Sequence, residues 1–345
     1  MGRRIWRKAS EAPRSPILAR ALGPWHRAGA MPQSFLGAPD SPAARRNGVL
    51  ASLTAFSCWG LFPLYFKALQ ARPPEVLVHR ILWSALFLLA VSAGQRRWAW
   101  LGGVLRSPRL LFGSLLSAAL LSVNWLIYIW AVSEGRVVDA SLGYFITPLL
   151  SVVFGVVLLG EALRPLQWLA LGVAALGVLW LTVQLGQPPW VGLALAASFG
   201  SYGAIRKTAR LGALEGLALE TWLMFPLALA YLLWLAHSGQ STFYEGALGQ
   251  RWALIAAGPL TSIPLLLFAA GARRIPLSLA GVLQYVSPSL QLVIGVVVLH
   301  EPFQPVKLLG YALIWLALVL YSGEGLWVWR RAARSAPSVA LSPRT

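Results

Sequence analysis

The sequence is poor in the residues on which soluble chemistry usually depends. Cysteine occurs once, at Cys58, which excludes an intramolecular disulfide and any metal site built from several thiolates. Histidine occurs four times, at His26, His79, His237 and His300, with no HExxH segment and no acidic cluster beside any of them. No metal and no cofactor are therefore expected. There is no Walker A segment either, so this chain alone does not run on ATP. Charged residues make up only 12% of the chain, against about 25% in soluble domains. Acids are the scarcest charges, 11 against 29 Lys and Arg, for a net charge of +18. That excess suggests nucleic acid, but the basic residues lie in short loops and tails rather than in a stripe interleaved with aromatics, so no nucleic-acid partner is expected.

What is present in quantity is apolar: 57% of the 345 residues. Ten apolar runs lie near 48–68, 76–94, 110–132, 138–160, 166–184, 189–206, 217–236, 252–271, 277–299 and 306–323. Most approach the roughly 20 residues that carry a helix across a 30 Å hydrocarbon layer. They do not alternate as barrel strands do, so helices are the structure that satisfies their backbone in lipid. The 17 tryptophans suit a chain with many membrane–water interfaces. The expected fold is an all-α polytopic membrane protein with ten transmembrane helices. Its partners are the lipid bilayer and a small-molecule substrate, and it is read as a monomer or homodimer.

Residues 1–46 are rich in Arg, Pro, Ala and Gly without sustained periodicity, and are read as a disordered basic tail. Met31, close to the first helix, is an alternative start. Residues 326–345 form the other tail. Lys and Arg set the orientation. One set of loops and both tails hold Arg45, Arg46, Arg96, Arg97, Arg106, Arg109, Arg164, Arg206, Lys207, Arg210, Arg273, Arg274, Arg330, Arg331 and Arg334. The opposite loops hold only Lys67, Arg72, Arg136, Arg251 and Lys307. This bias puts both termini in the cytoplasm, as an even helix count also does.

Displaced by 140 residues, the chain matches itself without a gap. Pro148 falls on Pro288, Gly155 on Gly295, Glu161 on Glu301, Pro165 on Pro305, Gly60 on Gly200, Lys67 on Lys207 and Glu75 on Glu215. Apolar bias alone does not align Pro, Gly and Glu. The repeat, 47–185 and then 186–325, holds five helices, so its second copy enters the membrane from the opposite side. Inverted repeats around a central cavity are a recurring plan of secondary transporters, because two alike but opposed bundles can open one site to either side in turn.

Several segments then resemble the RarD-type permeases, in the EamA branch of the drug/metabolite transporter superfamily. They are CWGLFPLYFKAL (58–69), VHRILWS (78–84), NWLIYIWAV (124–132), SLGYFITPL (141–149) with LGE (159–161), and ETWLMFPLA (220–228). The likeness spans roughly residues 48 to 325, and Thr147 stands where such permeases often have asparagine. The resemblance implies two inverted five-helix repeats and a bacterial inner-membrane permease that exports small metabolites or drug-like solutes. Chloramphenicol sensitivity is associated with the type by name. A membrane enzyme and a channel are the alternatives, and neither has its motif here: no HExxH or acidic metal cluster, and no pore filter.

Charges within membrane helices cost about 2.5–3.5 kcal/mol or more at the helix centre. His79 and Arg80, one turn into the second helix, are candidates for an outer-half cation site, against a snorkelling arginine. Glu220 falls on Arg80 under the repeat and is expected at the inner mouth, against a merely interfacial glutamate. Asn124, beside Trp125 and Tyr128, either ties helices together or lines a wet cavity. Trp59, Tyr65, Trp130, Tyr144, Tyr202 and Tyr285 are candidate cavity walls, with Gln284 as a polar contact. Pro148 and Pro288 are hinge candidates, against kinks that serve packing. Glu161 and Glu301 end their helices where the dipole disfavours an acid, so a local partner such as the start of the following segment is expected for each.

Overall fold

The structure, a computed structural model, describes residues 42–95, 98–159, 163–208, 211–272, 274–275 and 283–334. Glu161, Met31 and most of both tails lie outside the described residues. Among them the chain is helical throughout. The elements are α1 (Pro42–Ala68), α2 (Pro73–Gln95), the short α3 (Ala99–Leu105), α4 (Pro108–Ser133), α5 (Val137–Leu159), α6 (Pro165–Leu185) and α7 (Trp190–Thr208). Then come α8 (Ala213–His237), the one-turn α9 (Thr242–Glu245), α10 (Leu248–Ala272), α11 (Val286–Val293), a π-helical turn (Ile294–Val298) and α12 (Pro305–Arg334). Among the described residues seven helices are long and apolar enough to cross a membrane, namely α1, α2, α4, α6, α8, α10 and α12. The apolar stretches Val137–Leu150 and Val286–Val298 are shorter.

Two boundaries differ from those expected. α1 begins at Pro42, ahead of residue 47, and α12 runs past 325 to Arg334. Pro suits the first turn of a helix, where no N–H is needed. At the other end, no proline interrupts the chain until Pro337, so the helix continues into the basic segment.

Local sequence sets the other helix ends. Ser107 caps α4 by accepting a bond from the Leu110 N–H (3.5 Å), with Pro108 at the first helical position. After α4, Gly135 takes φ +66°, which lets the Arg136 N–H turn back to the Ala131 carbonyl (2.7 Å). A residue with a Cβ is strained in that conformation.

The sequence halves do not form separate bundles. α6 packs along α12, α5 along α7, and α10 against both α1 and α2, while α4 meets α7 and α8. Most of the extensive contacts therefore cross from one half to the other. Small residues allow the closest of them. A Cβ added at Gly143 on α5 would lie 2.7 Å from the Gly192 carbonyl oxygen on α7. This is the close backbone approach by which helices associate where no hydrophobic effect drives them together. Outward faces stay apolar: Leu176, Leu179 and Val183 along α6 are all exposed, as surfaces facing lipid are.

The two helices carrying the repeated proline differ. Pro148 lies inside α5, where it leaves the Tyr144 carbonyl without its usual donor. Pro288 lies in the first turn of α11, where no such donor is expected. α11 then widens into the π-helical turn, and His300 adopts φ +53°. That turn delivers Glu301 to the start of α5. Its two carboxylate oxygens accept the Val137 N–H (2.7 Å) and the Val138 N–H (2.8 Å). A carboxylate on orphan amides at a helix N-terminus is doubly favoured, by hydrogen bonding and by the dipole. The expected compensation for Glu301 thus exists, but it comes from the other half of the chain and not from the following segment.

Candidate functional site

A cavity of about 130 Å³ opens where α1, α2, α4, α5, α7, α10 and the region of α11 converge. Its walls are mostly apolar and rich in aromatic rings. Phe56, Trp59 and Phe62 project from α1, Trp125 and Tyr128 from α4, Tyr144 from α5, and Phe199 and Tyr202 from α7. Leu121 and Leu265 add aliphatic surface. Polar groups are few: Arg80, Asn124, Thr147, Gln284, Ser287 and Gln291, with Pro288 beside them. An apolar enclosure with a few convergent polar groups is the ordinary form of a small-molecule site.

Arg80 supplies the charge. It is 4% exposed, and its Nε donates to the Thr261 hydroxyl at 2.6 Å. Its guanidinium carbon lies 4.0 Å from the Trp125 ring centre and 5.5 Å from those of Phe62 and Phe66. The flat, delocalised cation is thus held by aromatic faces, an arrangement that suits Arg better than Lys. No ion pair joins it to a carboxylate among the described residues. Its head group is buried and bonded inside the protein, whereas a snorkelling side chain extends to the surface.

Asn124 serves both roles weighed for it. Its amide nitrogen donates to the Leu195 carbonyl (3.1 Å) and the Ser198 hydroxyl (3.0 Å), which fastens α4 to α7. Its oxygen accepts the Tyr144 hydroxyl at 3.4 Å on the cavity wall. Gln291 donates its amide N–H groups to the Trp59 carbonyl (3.1 Å) and the Ser287 hydroxyl (3.2 Å).

Of the residues singled out from sequence, Trp59, Arg80, Asn124, Trp125, Tyr128, Tyr144, Tyr202, Gln284 and Pro288 line this cavity. Five others do not. Tyr65 is tied by its hydroxyl to the Ala253 carbonyl (2.6 Å). Trp130 packs on Trp190 at 5.3 Å, with Arg136 over both rings, at the end of α4. Tyr285 packs into the cluster built around Phe145 and Tyr311. His79 faces away from Arg80: its ring stacks on Phe243 at 4.9 Å, and its Nδ1 accepts the Trp83 indole N–H at 3.2 Å. Adjacent residues on a helix point about 100° apart, so one of the pair faced the cavity and the other did not. Glu220 lies one residue behind the wall. It accepts the Ser117 hydroxyl (2.6 Å) and the Tyr202 hydroxyl (3.3 Å), with Arg206 3.7 Å away.

Sequence reasoning missed Phe56, Phe62, Phe199, Ser287 and Gln291. Phe56 precedes Trp59 by one turn and Phe62 follows it by a similar step, so helical spacing from Trp59 was the available signal. Gln291 follows Gln284 by two turns in the same way.

The EamA-like transporter family pattern matches the chain twice, at residues 46–183 and again at 189–323. A RarD protein of Streptomyces exfoliatus is 44% identical over 304 residues, covering 87% of this chain and 96% of the relative. An uncharacterized transporter of Pseudomonas aeruginosa is 43% identical over 84% of this chain and 96% of its own length. The RarD protein of Escherichia coli is 38% identical, covering 84% of this chain and 98% of its own length. A solved crystal structure shares the fold, with a TM-score of 0.52 at 21% identity over 80% of this chain and 97% of that one.

Proposed function

The chain belongs to the EamA-like transporter family as a multi-pass membrane transporter, and on that premise we propose that it is a secondary permease working by alternating access. Ten helices cross the bacterial inner membrane as two inverted five-helix repeats, with both termini in the cytoplasm. The direction implied by the family resemblance is export of small metabolites or drug-like solutes.

One observation carries the reading. The cavity is walled by corresponding helices of both halves: α1 with α7, α4 with α10, and α5 with the region of α11. The helix pairing supports it further. Under a shift of 140 residues, the packing of α1 on α10 becomes that of α7 on α4, and α2 on α10 becomes α8 on α4. α6 with α12, and α2 with α8, map onto themselves. A site on such a pseudo-two-fold axis is the place that opposed repeats expose to either side in turn. In this reading Arg80 belongs to the outer half and Glu220 to the inner half.

The test is solute flux in proteoliposomes containing the full chain, with candidates drawn from metabolite profiles of cells lacking or overproducing it. Saturable flux stimulated by solute on the opposite side is expected. Ohmic current would mark a channel, and a chemically altered product an enzyme; either result replaces the carrier.

A further inference from the structure

Three residues that line the cavity hold polar atoms without a hydrogen-bond partner among the described residues. The first is Arg80. Its Nε is used by Thr261, whose hydroxyl is itself oriented by donating to the Ala257 carbonyl (2.7 Å). Its two terminal nitrogens make no hydrogen bond to any described residue, and no described carboxylate lies within ion-pair distance. Tyr128 is second: 3% exposed, its hydroxyl has no partner. Gln291 is third: 2% exposed, both its N–H donations are committed, and its Oε1 accepts nothing.

A buried cation without a counter-charge costs several kcal/mol. Buried polar groups left unpaired in native structures call for an explanation, of which a ligand is one. Here the residues that carry these groups line one cavity, and their chemistry is specific. The guanidinium fork offers two parallel N–H donors, the geometry that matches a carboxylate. The Tyr128 hydroxyl is free to add a third donor, and the Gln291 oxygen asks for a donor in return. Aromatic side chains share the lining, in a volume comparable to engineered cavities of about 150 Å³ that take a single benzene ring. Among the described residues no acid lines the cavity. A second positive charge would therefore meet Arg80 without compensation, and a dianion would exceed the single cation available.

We infer that this cavity takes a small organic monocarboxylate, whose acid group sits on the Arg80 fork beside Tyr128, whose apolar body lies against Trp59, Phe199 and Tyr202, and whose hydrogen-bond donor meets Gln291. The inference rests on the transport reading, since it names the class of solute held at that site. Neutral amides and amines of the same size are discriminated against by the same groups.

The probe is benzoate, compared with benzamide, benzylamine and sodium chloride, binding to the full chain in nanodiscs and read by calorimetry and tryptophan fluorescence. Benzoate is expected to bind at least about tenfold more tightly than benzamide, a difference of about 1.4 kcal/mol, with no benzylamine binding. Arg80→Gln should abolish the preference. Tyr128→Phe, which breaks no bond within the protein, should keep its thermal midpoint and weaken benzoate several-fold; it serves as the test should Arg80→Gln fail to fold. Equal binding of benzoate and benzamide, a preference that survives in a folded Arg80→Gln protein, or a response to chloride as strong as that to benzoate would overturn the inference. Flux of a neutral solute without benzoate binding would sink the carboxylate site and leave transport standing. Benzoate binding with no solute flux would do the reverse.

Discussion

Arg80 and Glu220 stand at corresponding positions of the repeat, 140 residues apart, and meet opposite treatment. Each is a buried charge on the second helix of its half, and each is hydrogen-bonded to a hydroxyl on the helix packed across from it. Glu220 accepts from Ser117 on α4, and Arg80 donates to Thr261 on α10, the counterpart of α4. There the likeness stops. Glu220 adds the Tyr202 hydroxyl and the nearby Arg206, so the protein satisfies its charge. Arg80 is left lining the cavity with aromatic rings around it and its terminal nitrogens without a partner among the described residues. One charge is part of the framework, while the other is available to something outside the protein. Duplication thus supplies two equivalent positions, and the neighbours decide which becomes structural.

The contrast is broken most severely by Glu220→Ala. Removing one partner of a buried pair typically costs about 3–5 kcal/mol, so a large fall in thermal midpoint in detergent is expected. Arg80→Leu should cost less, under about 2 kcal/mol, because losing one charge-assisted bond is offset by no longer burying an unpaired cation. Its effect should fall on solute flux instead. Equal destabilisation by the two substitutions would erase the distinction. Ser117→Ala, which deprives Glu220 of its shortest hydrogen bond, should cost about 1.5–3 kcal/mol, the range for a bond to a charged group. A double-mutant cycle with Glu220→Ala would show whether that cost belongs to the pair. Tyr128→Phe should change stability least, within about 0.5 kcal/mol, since no protein partner is lost.

Much of the membrane architecture was legible. Long apolar runs and short connections are local properties, and helices follow from them wherever the backbone must bond to itself. Nine of the residues chosen as site candidates line the cavity. For Arg80, Asn124 and Gln284 rarity is why: a polar or charged residue within an apolar helix stands out against the cost of placing it there. The rest were not legible for equally physical reasons. Trp130 and Trp59 are the same residue type in similar runs, and only the packing partner separates a wall from an anchor. His79 and Arg80 are neighbours in sequence but face apart. Glu301 needed a partner that the sequence demanded but did not identify, and it proved to be two amides more than 160 residues away.

The sequence by itself determined the class of protein, the helices and the repeat, because hydropathy, turn chemistry and self-similarity are written along the chain. Tertiary structure alone decided that the two halves interlock, that Pro288 begins a helix where Pro148 interrupts one, and that Arg80 rather than Glu220 faces the cavity. These depend on which surfaces meet. Helices from distant parts of the chain supply or withhold the hydrogen-bond partners that a buried polar group requires.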